Sequence, residues 1–415
     1  MNTSKKPSKL QLRIDLVLTV LFLAAIFSMG VMTVVSNYDG ILKAATRKSQ
    51  LSPYLADPDD PSAWDMLEAR IKSVDGYLAE NCYAADKLGH LNSSFQYAIG
   101  KDLISTGAMQ MLTLESGHLY DLQNYVPMQP AAQEILSMKA SLPQDIPFLF
   151  VYEHPTIYSE TQMPDGYKVL DYSDEIADEI TTLLRQANVN LLDSREILPA
   201  SGVPMSEYLM YTDQHWSTRA SLIMAQRIAR EAEALTGIEL HPELLDIDQF
   251  HTETFENLFL GKYGQRVGTA NIAPDDITIY WPKYDTRISR YTNYLGDVNE
   301  LTGSFRDSVI RWKYLDPDPG KTYNIKAYFD YGLTENHDIF TNEAAADCTI
   351  LLLKDSYSAS IGSFLSLLAN EVVSVDMRRS DSGVTDWVEK YDPDIVIVAY
   401  SMQMLRDDQY EFQAG

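Results

Sequence analysis

The chain has 415 residues with 33 basic and 59 acidic side chains, a net charge of −26. This balance excludes a nucleic-acid-binding protein, because phosphate backbones are bound by clustered Lys and Arg. Hydrophobic residues make up 45% of the sequence, so a packed core is expected, and the length predicts about two to three domains.

The N-terminus carries a segment that is long and apolar enough to cross a membrane. Residues 16–35 contain no charged side chain, and about 20 helical residues match the thickness of a bilayer core. The charged residues before this run are Lys5, Lys6, Lys9, Arg13 and Asp15. The positive-inside rule therefore predicts a cytoplasmic basic tail at 1–15, a transmembrane signal-anchor at 16–35 and an extracytoplasmic body.

The alternative for this segment is a cleaved signal peptide. Ser28-Met29-Gly30 places small residues at the two positions that a signal peptidase reads. The apolar run continues past that point, which favours the single-pass anchor. In both cases the body of the protein lies outside the cytoplasm.

Residues 36–91 are predicted to form a polar, partly helical stalk between the anchor and the body. Pro and Asp dominate residues 57–61, and a helix is expected from Ser62, a candidate N-cap, to Asn81. The domain after the stalk is expected to cover residues 92–415.

The body alternates short apolar runs with amphipathic segments. Strands are predicted at Phe148–Tyr152, Val189–Leu192, Thr349–Leu353, Val372–Val375 and Ile395–Val398. Helices are predicted at Ser173–Ala187, Ser217–Gly237, Ala359–Ala369 and Thr385–Tyr391. Val, Ile and Leu runs joined by helices indicate a parallel sheet covered on both faces. The predicted fold class is α/β, a three-layer α/β/α sandwich with a partly β insertion at 238–347.

The first segment with chemical potential is Y-T-D-Q-H-W at residues 211–216, just before a predicted helix. In an extended or turn-like backbone, residues i and i+2 project to the same side, so the carboxylate of Asp213 can approach the imidazole of His215. Such a carboxylate fixes the tautomer and stabilises the imidazolium, as in a hydrolase triad. The alternative is that Asp213 only caps a helix and His215 only packs.

The second segment is K-D-S-Y-S at residues 354–358, between a predicted buried strand and a helix. Open α/β sheets bind ligands at the carboxyl ends of their strands, where a following helix can direct free N–H groups at a developing oxyanion. The alternative is an ordinary turn in which Asp355 or Ser356 is an N-cap. Together, the two segments contain the Ser, His and acid that nucleophilic acyl chemistry needs.

A D-x-H-W segment before a helix, followed by an apolar strand that ends in K-D-S-Y, resembles the DHHW family. These are SGNH-hydrolase-like proteins of the alginate O-acetylation type. Further matches are Phe259-Leu-Gly261 with Tyr263 and Gly264, Val375-Asp-Met-Arg378 and residues 392–398. The resemblance spans residues 148–400. Gln214 replaces the first His of the family pattern, at a position expected to point away from the Asp/His pair.

The resemblance implies that Ser356 is the nucleophile, His215 the general base and Asp213 its orienting acid. The backbone N–H of Tyr357 is expected to contribute to an oxyanion hole. Arg378 resembles a basic active-site position of the family, and its alternative is a surface salt bridge. No cofactor or metal is expected.

The leading hypothesis is an extracytoplasmic serine-dependent O-acyltransferase or acetylesterase that acts on cell-surface or secreted polysaccharide. The family implies a multi-pass membrane O-acyltransferase as a partner. The second hypothesis is a non-catalytic glycan-binding or assembly module with the same fold. The third is a metal site at Asp213 and His215, although no two of the seven histidines have H-x-x-x-H spacing and the two cysteines exclude a cysteine-rich zinc module.

Overall fold

The computed structural model describes residues 9–46, 51, 54–55, 61–106, 109–154, 163–294, 297–332, 337–380 and 382–406. Outside these ranges lie Lys5 and Lys6 of the predicted cytoplasmic tail and most of the Pro- and Asp-rich stretch at 57–61. The chain forms two compact units, residues 1–92 and 93–415.

The first unit is helical over most of the residues described. Its helices are α1 (Lys9–Ser36), α2 (Tyr38–Thr46), α3 (Ala63–Glu80) and the first part of α4 (Ala85–Ala98). Within α1, Arg13–Ser36 is long and apolar enough to cross a membrane. Helix α3 begins after Ser62, whose hydroxyl accepts the backbone N–H of Asp65, so the predicted N-cap is confirmed.

The second unit contains β-strands interleaved with helices. The strands are β1 (Leu103–Thr106), β2 (Met109–Thr113), β3 (Leu119–Asp121), β4 (Phe148–Glu153), β5 (Asn190–Asp193), β6 (Phe250–Phe259), β7 (Asp275–Pro282), β8 (Ile288–Tyr294), β9 (Asp297–Gly303), β10 (His337–Thr341), β11 (Ala346–Lys354), β12 (Ala369–Val375) and β13 (Ile395–Ser401). The helices are α5 (Gln129–Ser141), α6 (Ser173–Gln186), α7 (Ser194–Ala200), α8 (Met205–Tyr208), α9 (Thr218–Thr236), α10 (Lys262–Val267), α11 (Phe305–Ser308), α12 (Ile361–Leu365), α13 (Val384–Tyr391) and α14 (Met402–Arg406).

Among the described residues, eight strands form one sheet in the order β5-β4-β13-β11-β12-β10-β8-β9. The first five are parallel, with Leu351 of β11 opposite Val373 of β12 and Val396 of β13. The last three come from the insertion and pair antiparallel. The five strands predicted from the sequence therefore pair in parallel as expected, and the three antiparallel strands of the insertion make the sheet mixed.

The sheet is buried on both faces. On β4, Leu149 and Val151 belong to a core shared with α7, α9, α12 and the β6–β7 hairpin, while Phe148 and Phe150 belong to a core shared with α5, α6 and α13. Burial on both sides explains why the central strands are apolar at nearly every position.

The helix predicted at Ala359–Ala369 is wrong in extent, because α12 covers only Ile361–Leu365 and β12 begins at Ala369. Tight turns follow α12: the N–H of Leu367 donates to the carbonyl of Phe364, and the chain re-enters the sheet. These apolar residues are all buried, so the sequence contains no periodicity that marks the end of the helix.

Candidate functional site

Asp213 and His215 lie in the loop between α8 and α9, with their side chains in direct contact. Asp213 Oδ1 is 2.5 Å from His215 Nδ1 and also accepts the backbone N–H of His215 at 3.1 Å. An antiparallel bridge between Leu209 and Trp216 closes the loop. The predicted contact between residues i and i+2 is therefore present within this short loop.

Ser356 approaches the same imidazole from the middle of the sheet. It follows β11, which lies between β13 and β12, and its Oγ is 2.9 Å from His215 Nε2. One ring nitrogen thus faces a carboxylate and the other a hydroxyl. In this arrangement the imidazole can accept the hydroxyl proton while the carboxylate balances the resulting charge. The structure places the three residues singled out by the sequence in one hydrogen-bonded line.

Asp355 shapes the turn that presents Ser356. Its Oδ1 accepts the N–H of Tyr357 at 2.8 Å, and its Oδ2 accepts the N–H of Ser401, at the end of β13, at 2.8 Å. The N–H of Tyr357 therefore donates within the turn, so this bond must be shared or released if the N–H is to meet an oxyanion. Its place in an oxyanion hole stays a prediction.

Arg378 follows β12 in a short 3-10 helix and pairs with Asp376. Its Nε and Nη2 donate to the two carboxylate oxygens at 2.8 and 2.7 Å, a bidentate ion pair. Burial lowers the pKa of Arg378, but hydrogen bonding and charge from Asp376, with a contribution from Asp355, outweigh burial and raise it. Among the described residues, Arg378 forms no hydrogen bond or ion pair with Asp213, His215 or Ser356. The ion pair is only partly at the surface, since the Asp376 side chain is fully buried, and a role of Arg378 in the site stays a prediction.

Aromatic side chains enclose the imidazole of His215. The ring of Tyr328 stacks on it at 4.5 Å between centroids, and the ring of Tyr357 lies at 4.6 Å. The indole N–H of Trp216 donates to the carbonyl of Tyr357 at 2.9 Å, which ties the His segment to the Ser segment. The Trp was visible in the D-x-H-W pattern, whereas nothing in the sequence around Tyr328 indicated a place at this site.

Asp213 is only 5% exposed. Its Oδ2 accepts the backbone N–H of Lys262, the first residue of α10, at 2.5 Å. Burial raises the pKa of Asp213, but His215 and the N–H groups of Lys262 and His215 outweigh burial and lower it overall. The carboxylate is therefore ionised at neutral pH. The Phe259-Leu-Gly261 match precedes Lys262 directly, so this part of the insertion holds the acid of the site.

Glu153 is a buried carboxyl group at the end of β4 that the sequence analysis missed. Its Oε1 accepts the hydroxyl of Ser358 at 2.6 Å, two residues after Ser356. Burial, reinforced by the charge of Asp355, raises the pKa of Glu153 well above its usual range. A single Glu at the end of an apolar strand was the available signal.

The hypothesis of a metal site has no ligand cluster to support it among the described residues, where no three His, Cys, Asp or Glu side chains are grouped to hold an ion. Cys82 and Cys348 are both free thiols.

Comparison with solved structures identifies proteins with the same architecture. A DHHW family protein from Eubacterium siraeum DSM 15702 superimposes with a TM-score of 0.58 at 19% identity, covering 75% of this chain and 96% of that chain. The chain shares its fold. Bacillus cereus PatB1 superimposes with a TM-score of 0.56 in its structure with a sulfonyl adduct, at 16% identity, covering 74% of this chain and 99% of that chain. Another structure of PatB1 gives 0.55 at 17% identity, covering 73% and 99%.

The resemblance to the DHHW family is therefore confirmed at the level of the fold. No protein-family model matches the sequence, and no curated protein matches it.

Proposed function

We propose that the protein is an extracytoplasmic, serine-dependent O-acyltransferase or acetylesterase that acts on cell-surface or secreted polysaccharide. The observation that carries the proposal is the line from Asp213 through His215 to Ser356, with separations of 2.5 and 2.9 Å. Each neighbour in that line has the chemical type that acyl transfer requires.

In the proposed reaction, His215 Nε2 removes the proton from Ser356 Oγ as the oxygen attacks the carbonyl carbon of an acyl donor. A C–O bond to Ser356 forms, the bond to the leaving group breaks, and the imidazolium returns its proton to that group. A sugar hydroxyl then attacks the acyl carbon and loses its proton to His215, the bond from that carbon to Ser356 Oγ breaks, and the imidazolium returns the proton to Oγ. Water in place of the sugar gives hydrolysis.

The substrate class and location rest on the sequence resemblance together with the membrane helix. The D-x-H-W and K-D-S-Y segments match a family of the alginate O-acetylation type, and the fold comparison supports the same architecture. The basic residues before the apolar run at 16–35 favour an extracytoplasmic body. A multi-pass membrane O-acyltransferase would supply acyl groups at that side of the membrane.

The proposal includes the finer organisation of the chain. Residues 1–15 form the cytoplasmic tail, 16–35 the anchor, 36–91 the stalk and 92–415 the SGNH-like domain. Helices on both faces of the sheet support a three-layer α/β/α sandwich for that domain.

The test is hydrolysis of a chromogenic acetyl ester by the full chain in detergent. Wild type is compared with Ser356→Ala and with Ser360→Ala, a nearby serine whose side chain makes no cap hydrogen bond. We expect release to fall to background in Ser356→Ala only, and intact mass to show an adduct of about 42 Da, one acetyl group, on wild type.

Equal release by wild type and Ser356→Ala, without an adduct, would reject the serine route. That result would favour the non-catalytic glycan-binding module.

A further inference from the structure

A buried carboxylate on the insertion accepts hydrogen bonds from the two residues that precede Asp213. Asp275, at the start of β7, accepts the N–H of Tyr211 on Oδ1 at 2.6 Å. Its Oδ2 accepts the N–H of Thr212 at 2.9 Å and the hydroxyl of Thr212 at 2.5 Å. Asp275 is 5% exposed and Thr212 is fully buried, so these bonds are shielded from water.

Thr212 also accepts hydrogen bonds from residues at the start of α10. Its hydroxyl accepts the N–H of Gly261 at 2.8 Å, and its carbonyl accepts the N–H of Gly264 at 2.8 Å. The next residue along each segment completes the pattern, because Lys262 N–H donates to Asp213 Oδ2. Thr212 thus uses its hydroxyl as both donor and acceptor, and a hydroxyl is the smallest group that can do both.

We propose that Asp275, acting through Thr212, is a positioning residue of the candidate site that fixes Asp213 and thereby the orientation and tautomer of His215. This inference rests on the proposed function for its catalytic consequence. Neither residue touches Ser356 among the described contacts, so their effect on the site passes through Asp213.

The electrostatics agree with a carboxylate kept for its hydrogen bonds. Burial raises the pKa of Asp275 to about 6, and the neighbouring charge of Asp213 adds to this, while the Thr212 and Tyr211 donors oppose it. A second buried carboxylate next to Asp213 is electrostatically unfavourable. The three hydrogen bonds that Asp275 accepts from Tyr211 and Thr212 offset this cost. Above pH 7 the group is ionised and can accept all three hydrogen bonds.

The test compares four variants of the full chain in detergent at pH 8. Asp275→Asn retains the shape but places N–H groups against N–H donors, and Thr212→Val removes the hydroxyl without changing the volume much. Thr212→Ser restores the hydroxyl. Asp276→Asn is the matched control, because Asp276 is exposed and its contact among the described residues is with the N–H of Asn257, at 2.7 Å.

The first readout is kinetic. With the chromogenic acetyl ester, Asp275→Asn and Thr212→Val should lower kcat about 10- to 100-fold, the loss expected for a displacement of about 1 Å, with KM within about twofold. Thr212→Ser and Asp276→Asn should stay within about threefold of wild type. Thermal unfolding checks that each variant is folded.

The second readout does not depend on activity. In protein labelled with ¹⁵N-histidine, the imidazole ¹⁵N shifts report the tautomer of His215, assigned with His215→Gln. Wild type and Thr212→Ser should show the Nδ1–H form, and Asp275→Asn and Thr212→Val should lose it in part. An unchanged tautomer in both folded variants, or equal losses in Thr212→Ser and Thr212→Val, would overturn the inference. If wild type has no esterase activity but the tautomer responds as expected, the proposed function fails and the positioning role stands.

Discussion

Gly261 is the position at which the smallest change should have the largest effect on the site. A Cβ there would lie 2.3 Å from Asp213 Cβ, 2.5 Å from Asp213 Oδ2 and 2.6 Å from the carbonyl oxygen of Thr212. Ordinary contact begins at 3.4 Å, so Asp213 or α10 must move by about 1 Å in Gly261→Ala. We expect the free energy of unfolding to fall by about 1–3 kcal/mol, the usual cost of overpacking, and kcat for the acetyl ester to fall about 100-fold.

The control for this prediction is Gly89→Ala on α4, the same substitution where nothing lies within 4 Å. That variant should keep its activity and gain stability of up to about 1 kcal/mol from helix propensity. Denaturant unfolding gives the free energies, and initial rates over a range of ester concentrations give kcat and KM. A Gly261→Ala protein with wild-type stability and a kcat within about threefold of wild type would refute the close-approach argument.

Three further predictions concern other parts of the molecule. Glu153→Gln should match wild type in stability near pH 4 and exceed it at pH 9, because an acid whose folded pKa is raised loses stability as pH rises from its unfolded pKa through its folded one; denaturant midpoints at the two pH values measure this. Trp216→Phe should destabilise the protein by about 1–3 kcal/mol, since it removes the indole hydrogen bond at 2.9 Å and leaves the buried Tyr357 carbonyl with only the longer bond from the Tyr328 hydroxyl, at 3.4 Å; a loss below about 0.5 kcal/mol in urea unfolding would contradict this. The full chain should stay in the membrane pellet after a carbonate wash, and removal of residues 1–36 should release it; a shortened chain in the wash would argue for cleavage within α1, and a full-length chain in the wash would contradict the anchor.

Much of the sheet was predictable because its central strands are buried on both faces. The runs that became β4, β11 and β13 have no polar alternation, and this pattern indicates parallel strands under helices. The helix capped by Ser217 was also predictable, since its N-cap hydroxyl and the left-handed Gly237, with φ of 75°, are local features. By contrast, the pairing of β10 with β12 depends on contacts between distant segments, which local patterns do not encode.

The site divides in the same way. The contact between Asp213 and His215 is local, so the spacing of two residues predicted it, and Ser356 could be placed from the strand before it. The hydrogen bond from the N–H of Tyr357 to Asp355 was not predicted, because the position of Asp355 depends on its contact with Ser401 of β13. Asp275 could not be found from the sequence, since it lies 62 residues after Asp213 and meets that loop only in the folded chain.

The insertion contributes β7 and α10 to the candidate site. Both supply hydrogen-bond partners to the loop that carries Asp213. This loop leaves the N–H groups of Tyr211 and Thr212 and one carboxylate oxygen of Asp213 without partners inside the loop itself. Each such group costs about 1–3 kcal/mol when buried unpaired. Asp275 of β7 accepts the first two, and the first N–H of α10 donates to the third. Without the insertion these three groups would lose their partners, and only its local hydrogen bonds to His215 would hold the carboxylate of Asp213.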